Sequence, residues 1–208
     1  INFKISKFKD LYVWQSNSNE IKTKITKRPF KQINFLNKIE ITDNLYNSAI
    51  RNKTPYFDKV EGVIKSTSGY SGGSLKNPSY QEVTYEDTGH VETVEVTYDP
   101  TKVNFEKLLN IHLINIDPFD NSGQFCDKGK SYRPVVFFKS NTEKKIAEMK
   151  FKDIEQRFGK KPSILLWEFK KFYSAENYHQ DYYEKNFIRY LMYKNGCKRE
   201  ETLKKIWN

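Results

Sequence analysis

The chain has 208 residues, 36 Lys and Arg against 26 Asp and Glu, a net charge of +10, a pI near 9.3 and a mean hydropathy of -0.80. That length suffices for one domain with a real core plus an appended arm, and no run approaches the roughly 18 apolar residues of a spanning helix. Two cysteines exclude a dense disulfide framework and permit at most one intrachain bridge, which leaves the redox compartment open.

The first residues lack the charged-then-apolar layout of a signal peptide, and a start at Ile1 rather than Met reads as a processed or trimmed N-terminus, so that any targeting segment is expected to lie outside this sequence. Residues 1–50 hold nine Lys and Arg against four Asp and Glu, so half of the basic excess sits in the first quarter. Such a charge suits a polyanion such as RNA or an anionic membrane surface; the alternative is a solvated basic face.

Residues 1 to about 40 show no clean period, and isolated aromatics (Phe3, Phe8, Tyr12, Trp14, Phe30, Phe35) predict an extension of short helical or irregular pieces anchored on a surface. Domain boundaries follow: a basic extension over 1–40 and a folded domain over 41–208. Within the latter, Gly69-Tyr70-Ser71-Gly72-Gly73 reads as a turn after a strand. Val91, Thr93, Glu95 and Thr97 alternate with Glu92, Val94, Val96 and Tyr98, which predicts a strand ending at Asp99-Pro100. A helix follows, with Asn104 as its N-cap and Phe105, Leu108, Leu109 and His112 on one face. Arg133 to Lys139 reads as a buried strand. Asn141 or Thr142 then caps a long helix with Ile146, Met149, Ile154 and Phe158 inward, ending at Gly159, and Ser163 to Phe169 is another strand. This β, α, β, α, β order predicts an α/β or α+β sheet domain with helices packed on it.

The chemistry concentrates between Gly69 and Tyr132. Asn77-Pro78-Ser79-Tyr80 is a fixed turn presenting a phenol, and Thr88-Gly89-His90-Val91-Glu92 places a carboxyl on a strand. A strand carboxyl kept protonated by burial can give a proton to an oxygen held by the Tyr80 and Tyr132 hydroxyls; the plain alternative is a surface salt bridge. The three histidines and two cysteines have no metal-ligand spacing, and no cofactor is expected. His90 is expected to brace its strand, His112 lies on a core-facing helix, and His179 sits in the YHQDYY segment.

The blocks GYSGG, NPSY, TGHVE, VEVTYDP, GQFCDKGKSYR, AENYHQDYY and CKRE with LKKIW resemble, in order and spacing, peptide methionine sulfoxide reductase A, over about residues 38–208. The QFCD form is similar to one branch of that family. The resemblance implies an α+β fold, an α/β sandwich with a mixed sheet and flanking helices, and a reaction in which a cysteine thiolate attacks the sulfoxide sulfur while a glutamic acid protonates its oxygen. It maps the acid to Glu92, the oxygen-binding tyrosines to Tyr80 and Tyr132, and a site-organising polar residue to Asp127. It also sets Ala49 against the nucleophile, and Ile50 and Arg51 against the Phe and Trp that cage the substrate methyl group. No register shift supplies a thiol there, because Cys126 is the first cysteine in the chain. Cys126 falls in the QFCD block and Cys197 matches a C-terminal resolving cysteine of the branch. They are the possible redox thiols, and a bridge between them stays open.

Three functions follow from these readings. The first is a catalytically inactive reductase-like protein serving as a structural or adapter subunit with protein partners, and RNA contacts through the basic N-terminal region. Its Lys, Asn and Ile bias suggests an organelle, for example a mitochondrial ribosome, with the cytoplasm as the alternative. The second is an active reductase of protein methionine S-sulfoxide that works through another cysteine and a thioredoxin-like reductant. The third is a pocket that binds methionine sulfoxide without reacting.

Overall fold

The computed structural model describes residues 3–8, 11–16, 37–41 and 55–208. By contacts the chain divides into two units, Ile1–Phe35 and Leu36–Asn208. In the first, β1 (Phe3–Phe8) and β2 (Leu11–Ser16) form an antiparallel pair, with Ile5 opposite Trp14. Where the sequence predicts helical or irregular pieces, the described residues of this unit are strands. Runs of six residues are too short to display a period, whereas their aromatic and β-branched content suits a pleated ribbon. Ala49, Ile50 and Arg51, like the aromatics Phe30 and Phe35, lie outside the described residues.

The second unit is built on a mixed sheet. Its elements are β3 (Asn37–Ile41), α1 (Pro55–Asp58), β4 (Val63–Ser71), α2 (Tyr80–Tyr85), β5 (Val91–Tyr98), α3 (Phe105–Leu113), β6 (Gly123–Gln124), β7 (Asp127–Lys128), β8 (Val135–Phe138), α4 (Asn141–Phe158), β9 (Leu165–Glu168), β10 (Phe172–Ser174), α5 (Tyr182–Lys185), α6 (Phe187–Gly196) and α7 (Arg199–Trp207). The six-stranded sheet runs β10-β4-β5-β3-β8-β9, antiparallel except for the β8–β9 pair, and β6 and β7 form a separate small hairpin. Strand β3 begins at Asn37, within the stretch assigned to the extension.

Strand β5 follows the predicted alternation. Val94, Val96 and Tyr98 point into the main core with Phe57, Leu108, Leu109, Val136 and Ile154, while Val91 joins Val135 and Phe137 on the opposite face beside Trp167. Helix α3 is capped by Asn104, whose side chain accepts from the Lys107 N–H at 2.8 Å. Helix α4 starts one residue earlier than the sequence suggests: Ser140 is its N-cap, accepting from the Glu143 N–H at 3.2 Å. Its inward stripe also differs. Ala147 and Ile154 are buried, whereas Met149 is 48% exposed, because two residues along a helix turn a side chain about 200° from its neighbour's face. Gly159 ends the helix at φ 64°, the left-handed cap expected of it.

The GYSGG block is not a turn throughout. Gly69, Tyr70 and Ser71 complete β4, and only at Gly72 (φ 94°) does the chain leave the strand. At Gly69 a Cβ would run into the carbonyl of Tyr173 and the ring of Phe172, so its lack of a side chain lets β10 pair along β4. That edge strand delivers the following segment to the site. Ile154→Ala should lower unfolding stability by about 2–5 kcal/mol in chemical denaturation, while Met149→Ala should change it by less than about 0.5 kcal/mol. Equal losses would contradict the observed face of α4.

Candidate active site

Glu92 is the second residue of β5 and lies on the same face as Val94, Val96 and Tyr98, yet it is 0% exposed. A hydrophobic stripe thus ends in a carboxyl group. Directly opposite across the β4–β5 pair is Tyr70, also 0% exposed, and such partners stand only about 5 Å apart at Cβ. Tyr70 packs with Val83, Ala175, Tyr80 and Tyr173 in a small cluster at this end of the sheet.

Tyr80 opens α2. Asn77 adopts φ 51°, Pro78 is buried, and Ser79 forms a capping box with Glu82, its N–H donating to the Glu82 carboxylate at 2.7 Å. The next N–H, on Tyr80, has no acceptor within the first turn and donates instead to Glu176 Oε1 at 2.9 Å. Tyr132 ends a 3₁₀ turn (Lys130–Tyr132) that follows Gly129 at φ 132° and is 7% exposed. Burial pushes its hydroxyl well above the usual tyrosine range, followed by the charge of Glu92 and the charge and hydrogen bond of Tyr80. Those interactions bring Glu92, Tyr80 and Tyr132 to one place. Tyr70 is raised further still, by burial first, then by the charge and hydrogen bond of Glu176 and the charge of Glu92. These phenols stay protonated at any ordinary pH and act as hydrogen-bond donors.

Asp127 belongs to the small hairpin, is buried, and accepts from the Tyr193 hydroxyl of α6 at 2.7 Å. Its neighbours are latched one by one. Gln124 is wholly buried and exchanges bonds with the backbone of Asp117: it accepts from the Asp117 N–H and donates to the Asp117 carbonyl, both at 2.8 Å. Phe125, at φ 49°, lies under the Arg199 guanidinium at 4.5 Å. Cys126 is bonded to Cys197, with Cα atoms 5.5 Å apart, so neither of the two possible redox thiols is a free thiol here. The pairing left open by the sequence is therefore made. Spacing alone did not reveal it, because 71 residues separate the partners and only the docking of α6 and α7 joins them.

The histidines resolve individually. His90 is a brace: its Nδ1 accepts from the Gly73 N–H at 3.2 Å and its Nε2 pairs with the Leu75 carbonyl at 2.8 Å, which fixes a neutral tautomer with the proton on Nε2. His112 is held neutral in the core, its pKa lowered to about 3 by burial and by the nearby Arg199 charge. His179 is buried with its ring 4.9 Å from that of Tyr80. Sequence reasoning missed Glu176, Tyr193, Gln124 and Arg199. For Glu176 a signal existed, a carboxylate inside the aromatic-rich AENYHQDYY block.

The sequence model of the family described as "Peptide methionine sulfoxide reductase" matches residues 53–208. The chain belongs to that family. "Peptide methionine sulfoxide reductase MsrA 2" of Staphylococcus aureus (strain MW2) is 44% identical over 153 residues, covering 73% of this chain and 86% of that protein. The protein of the same name from Caulobacter vibrioides is 45% identical over 151 residues, covering 71% and 76%. Among solved structures, methionine sulfoxide reductase A of Corynebacterium diphtheriae superposes with a TM-score of 0.63 at 27% identity, over 73% of this chain and 76% of that one. Mxr1 of Saccharomyces cerevisiae in its reduced form gives a TM-score of 0.63 at 25% identity, over 74% and 87%. Every predicted reductase-site residue from Tyr80 to Asp127 and Tyr132 lies inside the family match. Ala49, Ile50 and Arg51 precede its first residue, 53.

The buried His112 gives the domain a pH dependence whose sign can be worked out. Its folded pKa of about 3 lies below the usual 6.5, so between these values the unfolded chain binds the extra proton and stability falls as pH falls. Denaturation midpoints should drop from about pH 6.5 towards pH 3, and His112→Leu should flatten that slope.

Proposed function

We propose that this chain carries the oxygen-binding half of a peptide methionine (S)-sulfoxide reductase site, and that position 49 supplies no nucleophile to it. One observation carries the reading: the fully buried Glu92 at the end of β5, gathered with the Tyr132 and Tyr80 hydroxyls. A sulfoxide oxygen bears the negative end of a strong dipole. The Tyr132 phenol remains protonated and can donate to it beside the Tyr80 hydroxyl, and Glu92, withdrawn from water, is placed to give it a proton. Asp127, held by Tyr193, orders the adjoining hairpin.

The redox balance requires two thiols per sulfoxide: one attacks sulfur, the second resolves the adduct, and thioether, disulfide and water leave. Alanine at position 49 has no lone pair for that attack. Cys126 and Cys197 are the chain's two cysteines, and they are already joined to each other. The family's usual activity is thereby reduced to recognition. A second reading, reduction through Cys126 once a dithiol such as a thioredoxin has opened the bridge, is favoured by the exposure of Cys126 and its place next to Asp127. The adapter role keeps one supporting observation. Phe187, Ile188, Leu191 and Met192 leave an apolar face of α6 exposed.

Calorimetry with a methionine-(S)-sulfoxide peptide should show binding by the wild-type chain, weakened about fivefold by Tyr132→Phe through loss of one hydrogen bond. With dithiothreitol as reductant the wild type should not turn over. The triple variant Ala49→Cys, Ile50→Phe, Arg51→Trp should, and adding Glu92→Gln should slow it by roughly 10²–10⁴. Wild-type turnover abolished by Cys126→Ser would establish the second reading instead.

A further inference from the structure

The segment that follows β10 contributes a carboxylate to two elements at once. Glu176 Oε1 accepts from the Tyr80 N–H at 2.9 Å, and Oε2 accepts from the Tyr70 hydroxyl at 2.9 Å. Both donors need an acceptor for independent reasons. The Tyr80 N–H is in the first turn of α2, where no carbonyl precedes it in the helix, and the Tyr70 hydroxyl belongs to a side chain wholly removed from water. One carboxyl group satisfies both, so its two oxygens span the gap between α2 and β4.

We infer that Glu176 is the positioning residue of the oxygen-binding end: by tying the Tyr80 backbone to the Tyr70 hydroxyl, opposite Glu92 in the sheet, it sets where the Tyr80 phenol stands relative to the Glu92 carboxyl. This rests on the sulfoxide reading of the site.

Two further observations support it. The Tyr80 ring is gripped from the same segment, since His179 lies 4.9 Å from it, and His179 Nε2 is 3.8 Å from Glu176 Oε2. Tyr80 is thus held at its backbone by one residue and at its ring by another three positions on. Burial works against ionisation of Glu176, but the bonds from the Tyr80 N–H, its own N–H and the Tyr70 hydroxyl together outweigh it and hold the carboxyl below the usual range. The acceptor therefore stays a carboxylate at neutral pH. A charge-assisted acceptor is stronger and more directional than a neutral one, which suits a group whose task is to fix position.

The segment itself is fastened elsewhere. Gln180 accepts from the Ser68 N–H at 3.1 Å and donates to the Ser68 and Ala175 carbonyls, both at 3.0 Å, and the Ala175 N–H donates to the Ser68 carbonyl at 2.9 Å. Removing the Glu176 carboxyl should therefore release Tyr80 and leave β10 in place.

The test uses the full chain with ring-labelled tyrosines, read by NMR, together with calorimetry against a methionine-(S)-sulfoxide peptide. Glu176→Ala should move the Tyr80 ring resonance and weaken peptide affinity about tenfold, the equivalent of 1.4 kcal/mol. Glu176→Gln, which keeps the length and one acceptor oxygen, should restore most of both. Should the alanine variant fail to fold, Glu176→Asp replaces it, because an arm shorter by one methylene cannot reach both partners and should displace Tyr80 likewise. An unmoved Tyr80 resonance, or a moved one with unchanged affinity, overturns the inference. If the wild type binds no sulfoxide peptide while Tyr80 still moves, the hold of Glu176 on Tyr80 is upheld and the sulfoxide reading falls.

Discussion

Burying a carboxyl group on the core side of a sheet is the constraint from which the rest of this site follows. Strand β5 presents Val94, Val96 and Tyr98 to a dry interior, and Glu92 continues the same face. An unaccompanied carboxyl there would be expensive. The structure surrounds it with phenols, Tyr70 across the strand pair and Tyr132 from the turn after the hairpin, which keep their own protons because they too are buried. Glycine at position 69 lets the edge strand approach closely enough to complete this wall.

The QFCD block is latched to its surroundings residue by residue. Gln124 closes the Asp117 turn, Phe125 lies beneath Arg199, Cys126 is bridged to Cys197 and Asp127 receives the Tyr193 hydroxyl. Three of these four partners come from α6, α7 and the junction between them. The C-terminal helices are thereby fastened to the hairpin that leads into the Tyr132 turn. Arg199 adds a further tie by donating to the carbonyl of Asn115, just past α3.

Much of the fold and of the site was legible because its signals are local. Strand β5, the Asn104 cap, the Gly159 stop and the NPSY turn each follow from a few adjacent residues. What escaped depends on partners remote in sequence. Met149 sits at a spacing compatible with a core face, but the stripe through Ala147 and Ile154 is chosen by the sheet beneath it. Glu176 looks like any surface glutamate until β10 is laid along β4, and Arg199 looks solvated until Phe125 is brought under it. The N-terminal hairpin was hidden by the shortness of its strands.

The Cys126–Cys197 bridge has a consequence that concerns the unfolded chain rather than the folded one. It closes a loop of 71 residues containing β8, α4, β9 and β10, together with the Glu176 segment. Cross-linking a loop of that size removes chain entropy from the denatured ensemble equivalent to about 4 kcal/mol, a large share of the marginal stability of a domain. The same polypeptide would therefore have two different stabilities on the two sides of an oxidising boundary.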